Sequence, residues 1–561
     1  MAAKNKTNYF SSAALLLTTS VLVKVLGAVY KIPLTAFIGA VGRGYFATAY
    51  NLYMPLHVIL MGSLPIALSR LVSRHNAVGD VTALSSLRKG ALSVFTAVGA
   101  VGTGIILLAA MPYTRWIAGS PKSIYTVLVL APSLLFACVA ACQRSYFEGL
   151  LNMRPTAVSQ ILEAVCKLLF GLALAKWSLA YLLHQFSATG MILDRPFNTE
   201  SEALSFIYPI TSAAAMLGVT FGTLVSMVYT GVYTTLYRDR SLPRVSAGEG
   251  KRELLHFSFP IMVSCAVQSV FQFLDTATVQ LALSRTNIAA LKALYADSLQ
   301  LATVPDGDLV TYIYGLFSAS LDFKNLIPGI TMALGVCAVP AVCREYESDN
   351  REHLTSLMNT VYRATALLSV GGGVLLALTA EPILRLFYGS AAPDLVAGCA
   401  EPVKYFALTV PVYAMASTAV FFVQALGKPE RSIVPYIVSG LVRMVLNMVL
   451  VPRGELILNG AVIAGAIGYA VLAVMNMVIA GRLSGVRADL QSVLWKPLII
   501  GAVAFFVCRF LFSTMTDRFG DVVNLLIEAA VFSVIFCILC LLLREVKLQE
   551  IISAFQRKKM A

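Results

Sequence analysis

The chain has 561 residues, 58% of them hydrophobic and only 13% charged, with a net charge of +14 and a mean hydropathy of +0.78. A soluble protein of this size needs about 25% charged residues, so lipid must replace the missing polar surface, which excludes soluble enzymes, disordered chains, collagen-like fibres and disulfide-stapled secreted domains. The excess of basic residues belongs in cytoplasmic loops and at helix ends, so no nucleic-acid partner is expected.

A bilayer core of about 30 Å takes about 20 apolar residues per helix. In chain order the hydropathy pattern predicts spans at 10–38, 44–72, 87–111, 122–147, 155–177, 207–236 and 254–280, then at 310–342, 353–379, 401–424, 431–451, 460–482, 493–514 and 521–543. That makes fourteen, an all-α integral membrane protein. The first span is too long for a cleaved signal peptide and carries Lys24 and Lys31 within it. Cys138/Cys142 and Cys537/Cys540 have helical spacing inside apolar runs and read as packing residues. The five histidines show no metal-ligand spacing, and no phosphate-binding G-x-x-x-x-G-K-[ST] occurs, so neither metal nor cofactor nor nucleotide-driven pumping is expected.

An even number of spans puts both termini on one side. Twenty-three basic residues fall in the loops and tails of that side, including Arg74, Arg88, Lys89, Arg154, Lys251, Arg252 and Arg344, with Arg238, Arg240, Arg244, Arg487 and the tail from Arg544 to Lys559. Nine fall opposite, among them Arg43, Arg115, Lys122, Arg285 and Arg518. Both termini are therefore expected to be cytoplasmic. Trp116, Trp177 and Trp495 stand at span ends, as interfacial anchors do.

An internal repeat shows at an offset of about 275 residues. Phe147-Glu148-Gly149-Leu150 corresponds to Val423-Gln424-Ala425-Leu426, Lys167 falls on Arg443, and Met61 to Arg70 resembles Met332 to Arg344. The pattern predicts two six-helix lobes, 1–250 and 251–485, related by a pseudo-two-fold axis along the membrane normal. Spans thirteen and fourteen and a basic tail follow at 486–561. A central cleft between such lobes is a transporter's usual substrate site.

Ionisable residues inside a membrane are costly and invite functional readings. Lys24 and Lys31 lie seven apart, on one helical face. Gln160, Glu163 and Lys167 form a stripe in span five, with Glu163 and Lys167 at the i, i+4 spacing of an ion pair. Span seven carries Gln268, Gln272 and Asp275, span eight Asp322, Lys324 and Asn325, and span eleven Ser439, Arg443 and Asn447. Each admits a substrate role or a packing role; Asp275 is a partner for the lysines, a coupling-ion site or a buried acid. Pro and Gly breaks in spans one and eight allow bending around a moving cleft.

The run Lys24-Val-Leu-Gly-Ala-Val-Tyr-Lys31-Ile-Pro33 with Gly42-Arg-Gly44-Tyr45 resembles the opening of the stage V sporulation protein B and lipid II flippase-like family. That family belongs to the multidrug/oligosaccharidyl-lipid/polysaccharide exporter superfamily. Gln143-Arg144-Ser-Tyr146-Phe147-Glu148-Gly149, Met153-Arg-Pro155, Gln160, Glu163 and Leu441-Val-Arg443-Met-Val-Leu-Asn447 resemble its further signatures. The resemblance implies a bacterial cytoplasmic-membrane flippase for a polyprenyl-pyrophosphate-linked sugar, with lipid II the first candidate, in cell-wall growth or sporulation. It also implies a cationic cavity in the first lobe and a lipid-tail groove near spans thirteen and fourteen. At span two Tyr53 precedes Met54-Pro55 where Gram-negative lipid II flippases have an arginine, which leaves other lipid-linked oligosaccharides open.

The expectation is thus an alternating-access transporter, not an enzyme, acting as a monomer in the bilayer on a lipid-linked oligosaccharide. Lys24, Lys31, Lys324, Arg144 and Arg443 are the expected substrate contacts, while Asp275, Glu163 and Lys167 serve coupling or an internal ion pair. Lysines suit a site that must release its anion, since they bind as point charges and not as bidentate clamps. The rival readings are an ion-coupled multidrug antiporter using Asp275 and Glu163, and a membrane enzyme acting on lipid-linked sugars, for which His184 in an outer loop is the best candidate.

Overall fold

The computed structural model describes residues 2–237, 246–389, 391–485, 489, 491–514 and 521–543. Outside them lie Arg238, Arg240, Arg244, Arg487 and Arg518 of the charge bias, and the tail from Arg544. The described chain is helical, with one two-residue ladder pairing Met191–Ile192 with Arg195–Pro196. Among the described residues thirteen helices are long and apolar enough to cross a membrane, and they correspond to expected spans two to fourteen.

Expected span one is helical too, although many of its side chains, that of Lys24 included, lie outside the described residues. It is continuous with span two in α1 (Ala2–Val78), which is two helices meeting at Gly39, where φ is +65° and ψ −177°. The Tyr30 and Phe46 rings stand 6.4 Å apart. Sixteen residues of straight helix would separate them by about 24 Å, so α1 is a hairpin. Its corner takes glycine because a Cβ makes positive φ costly.

Two compact units are formed, 1–285 with 302–315, and 286–301 with 316–561. The first holds α1, α2 (Val81–Pro112), α3 (Pro132–Gly149), α4 (Arg154–Thr189), α5 (Glu200–Leu236) and α6 (Gly248–Ser284). Helix α6, expected to open the second lobe, packs within this unit. Its foot is tied by Ser86, whose Oγ donates to Ser246 O (2.8 Å) and accepts from Gly250 N (3.0 Å), and its far end by Gln280 Nε2 to Thr48 Oγ1 (2.9 Å). The expected border at 250 thus falls at the base of a helix committed to the first unit.

Helices α4 and α5 overrun the expected spans. With 36 and 37 residues each is about 54 Å long, well beyond a bilayer core. Leu182, Ile192, Ala203 and Ile207 bury against Phe186, Phe197 and Phe206 to hold the overhang together. A left-handed Gly190 ends α4, and Thr199 caps α5 by accepting from Glu202 N. His184, expected in a loop, is therefore helical. Within the spans the two helices touch backbone to backbone: a Cβ on Gly218 would stand 2.3 Å from Gly171, and one on Gly222 2.7 Å from the Glu163 carbonyl. Small residues four apart let membrane helices approach this closely.

The second unit takes up the chain within α7 (Leu309–Lys324) and adds α8 (Leu326–Glu347), α9 (Arg351–Leu378), α10 (Pro393–Ala425), α11 (Ile433–Leu450) and α12 (Leu458–Ser484). Its main core joins α8, α9, α10 and α12, where the Tyr362 and Phe422 rings meet edge to face at 4.7 Å. Then α13 (Lys496–Thr514) and α14 (Asp521–Leu542) pack on α9 through Val370, Val374, Cys508 and Phe532.

Candidate functional site

The first unit contains an open cavity of about 530 Å³ lined by α1, α3 and α4. Its apolar wall is Val23, Leu26, Gly27, Met61, Ala137 and Ala141, and its polar lining is His57, Arg144, Glu148, Gln160, Glu163 and Lys167. Lys167 and Glu163 lie one turn apart on α4, and the α4–α5 glycine contact fixes their height beside Ser226 of α5.

Arg144 Nη2 reaches from α3 to Glu163 Oε2 at 2.8 Å and also donates to Ser226 Oγ. Its Nε is buried and has no hydrogen-bond partner. The expected Glu163–Lys167 pair is corrected by this geometry: the carboxylate's ion partner comes from the neighbouring helix. A guanidinium fork presented across a helix–helix interface competes well against a flexible ammonium on the acid's own helix. Lys167 Nζ instead lies 5.1 Å from the Tyr30 ring centre and 5.5 Å from that of Tyr50, and donates to Tyr50 Oη at 3.2 Å. The α1 hairpin makes this cradle, bringing together two tyrosines twenty residues apart in sequence. The His57 ring centre lies 5.3 Å from that of Tyr53, the planes tilted by 31°, and His57 is within electrostatic reach of both Glu163 and Arg144. Glu148 Oε1 accepts from Thr156 Oγ1 at 2.8 Å.

The cavity therefore offers one ammonium held on aromatic faces and one guanidinium shared with a single carboxylate. Chemically, two such cations beside an apolar wall can take a compact anion flanked by apolar groups. Of the span-one lysines, Lys31 is half-buried in the α1 hairpin, and Lys24 precedes the cavity-lining Gly27 by one turn of helix. Asp275 is half-buried on α6, within electrostatic reach of Tyr314, to whose hydroxyl Asn51 donates.

Lys324 and Arg443 belong to the second unit and form a different cluster. Lys324 Nζ stands 5.2 Å from the Phe406 ring centre, 5.2 Å from Tyr413 and 5.1 Å from Tyr469. The Arg443 guanidinium lies 4.8 Å from the same Tyr469 ring and donates to its hydroxyl at 3.3 Å. Both cations are buried, and Gly468 leaves room for the arginine, since a Cβ there would meet Arg443 Cγ at 2.1 Å. Lys167 and Arg443, matched by the repeat offset, thus both rest on tyrosine rings.

Sequence reasoning missed the aromatic partners of every one of these cations, and the place of His57 in the cavity lining. Tyr30 and Tyr50 gave a signal only once the α1 turn was known.

Residues 10–193 match the family of the polysaccharide biosynthesis protein and residues 316–449 match MatE. The chain is 24% identical over 468 residues to Lipid II flippase MurJ of Bacillus subtilis (strain 168), spanning 80% of this chain and 77% of that one. It is 23% identical over 559 residues to Stage V sporulation protein B of the same organism, spanning 97% of each. In fold it resembles the solved structure described as lipid II flippase MurJ in an inward closed conformation, with a TM-score of 0.63 and 15% identity over 94% of this chain and 99% of that one. Many apolar spans, two family matches along the chain and relatives aligned over most of their length agree: the chain is a multi-pass membrane transporter, similar over residues 10–193 to the polysaccharide biosynthesis protein family and over residues 316–449 to MatE.

Proposed function

We propose that the protein is a flippase for a polyprenyl-pyrophosphate-linked sugar, with lipid II the best-fitting member of that class, carried from the cytoplasmic to the outer leaflet by alternating access. The observation that carries this reading is the convergence of Lys167 and Arg144 on one membrane-embedded cavity with an apolar wall. A pyrophosphate offers charge to both cations at once, while the wall accommodates less polar parts of the molecule. Lys24 and Lys31 supply further positive charge from span one, and Lys324 and Arg443 are assigned to the second unit's own cation cluster. The relatives named for lipid II flipping and sporulation support the substrate class. The basic bias of the loops supports cytoplasmic termini.

The test is a leaflet assay on purified protein in liposomes, using fluorescent lipid II beside a polyprenyl-pyrophosphate carrying a single sugar. Flipping of lipid II that falls at least tenfold in Lys167→Gln, with melting temperature unchanged, is the expected result. Equal flipping by Lys167→Gln would remove the cavity from the pathway, and transport of the single-sugar lipid alone would remove lipid II.

A further inference from the structure

The cavity already contains an anion of its own. Glu163 pairs with Arg144 Nη2 at 2.8 Å, and a phosphate oxygen reaching the same guanidinium stands against that carboxylate. Nη2 also donates to Ser226 while Nε is buried without a hydrogen-bond partner, so the guanidinium has a donor to give, and it is the like charge of the two anions that opposes their sharing it. Resting on the reading of the cavity as the pyrophosphate site, we propose that the substrate anion displaces Glu163 from Arg144 and that the released carboxylate takes up one proton, so that anion and proton bind together.

The charges around Glu163 make this the favoured outcome. From α3 it faces Arg144 and Glu148, and from its own helix Lys167. From α1, His57 and Tyr53 lie within electrostatic reach of it, and Tyr30 lines the same cavity while Tyr50 holds Lys167; from α5, Ser226 shares its Arg144 donor. Before exchange the guanidinium neutralises the acid. Afterwards Arg144 and Lys167 are engaged by an anion of two negative charges, and an ionised Glu163 would add a third beside it, with Glu148 close by. A carboxylate in a partly desolvated site next to like charge binds a proton in preference. The step balances: ion-paired glutamate, dianion and one proton from the water of the cavity give a guanidinium–phosphate pair and a neutral carboxylic acid. Release reverses it, and Glu163 returns to Arg144. The bound state then carries one negative charge fewer through the membrane than the anion alone would impose.

The experiment measures binding of a short-chain dialkyl diphosphate, a probe that stays a dianion between about pH 5 and 8, to the purified full-length protein in lipid nanodiscs. Proton uptake is read with a pH dye in weak buffer. Wild type should take up about one proton per anion bound, and its affinity should tighten by up to tenfold for each unit of falling pH. Glu163→Gln should bind the probe at every pH about as tightly as wild type does in acid, without proton uptake. Glu163→Asp, which keeps the charge, should keep the pH dependence. Binding by wild type without proton uptake overturns the proposal and leaves the anion site standing, as does a Glu163→Gln variant that melts normally yet retains wild-type pH dependence. Failure of wild type to bind the probe at any pH overturns the anion site itself and this proposal with it.

Discussion

The ammonium of Lys122 lies 2.9 Å from the carboxylate of Asp308, two residues 186 apart in sequence and both in the first unit. Asp308 is the hub of a cluster. Its carboxylate also accepts from Tyr45 Oη at 2.7 Å and from Ser205 Oγ at 2.5 Å. Just below, Thr311 Oγ1 donates to Ser120 Oγ at 2.7 Å, and the backbones of Gly44 and Gly315 lie too close to their neighbours for any Cβ. The start of α7 is thereby clamped onto α1, α5 and the turn before α3.

Asp308→Asn should lower the stability of the purified protein by about 2 kcal/mol, since it weakens several hydrogen bonds and leaves a cation without its charge partner. Lys122→Met should cost less. The lysine is 40% exposed and the acid only 3%, so water already screens one side of the pair. Melting curves in detergent decide the order; a larger loss in Lys122→Met would contradict the hub.

The glycine seam between α4 and α5 predicts a sharp contrast between two alanine substitutions. Gly218→Ala pushes a methyl into the Gly171 backbone and should cost about 1–3 kcal/mol, with reduced abundance in the membrane. Gly465→Ala on α12 meets open space and should be neutral or stabilising by up to about 1 kcal/mol. Thermal shifts of the two variants, measured side by side, test the packing.

Tyr469 serves two buried cations at once. Tyr469→Leu should therefore destabilise the protein by about 2 kcal/mol, a sum of two partly desolvated cation–π contacts, whereas Tyr469→Phe keeps the ring and should lose well under half of that. Equal melting temperatures for Tyr469→Leu and wild type would show that Lys324 and Arg443 are held by other groups.

The overhang of α4 and α5 gives a test of orientation. An epitope inserted between Leu193 and Asp194, both at positive φ in the turn between the two strands, should be reached by antibody on intact cells, while a reporter fused after Ala561 should be cytoplasmic. Both signals on one side would overturn the assignment from basic loops.

The hydropathy pattern located thirteen of the fourteen expected spans in the helices found, because each must fill a bilayer with apolar residues whatever its neighbours are. Partner choice was far less legible. The spacing of Glu163 and Lys167 points to a pair within α4, but periodicity along one helix carries no information about what a second helix presents. Arg144, itself singled out as a substrate contact, took the acid. Lys122 counted only as a charge in an outer loop, since its partner lies on the far side of the chain. The segment between spans five and six read as a loop for the opposite reason: its apolar residues satisfy one another above the membrane and leave no bilayer-length signal of their own.

The Gly39 corner has a consequence for how the protein is made. A first helix bearing Lys24 and Lys31 enters the bilayer poorly alone, since each lysine near mid-membrane adds about 2.5–3.5 kcal/mol on insertion scales. With a single residue as its turn, α1 can fold back as soon as the segment up to Met61 has left the ribosome, and span two then offers Phe46 and Tyr50 to the faltering helix during synthesis itself. The insertion machinery would accept these two spans as one paired unit, and any flexible insert at the corner would lengthen the interval during which the first is stranded.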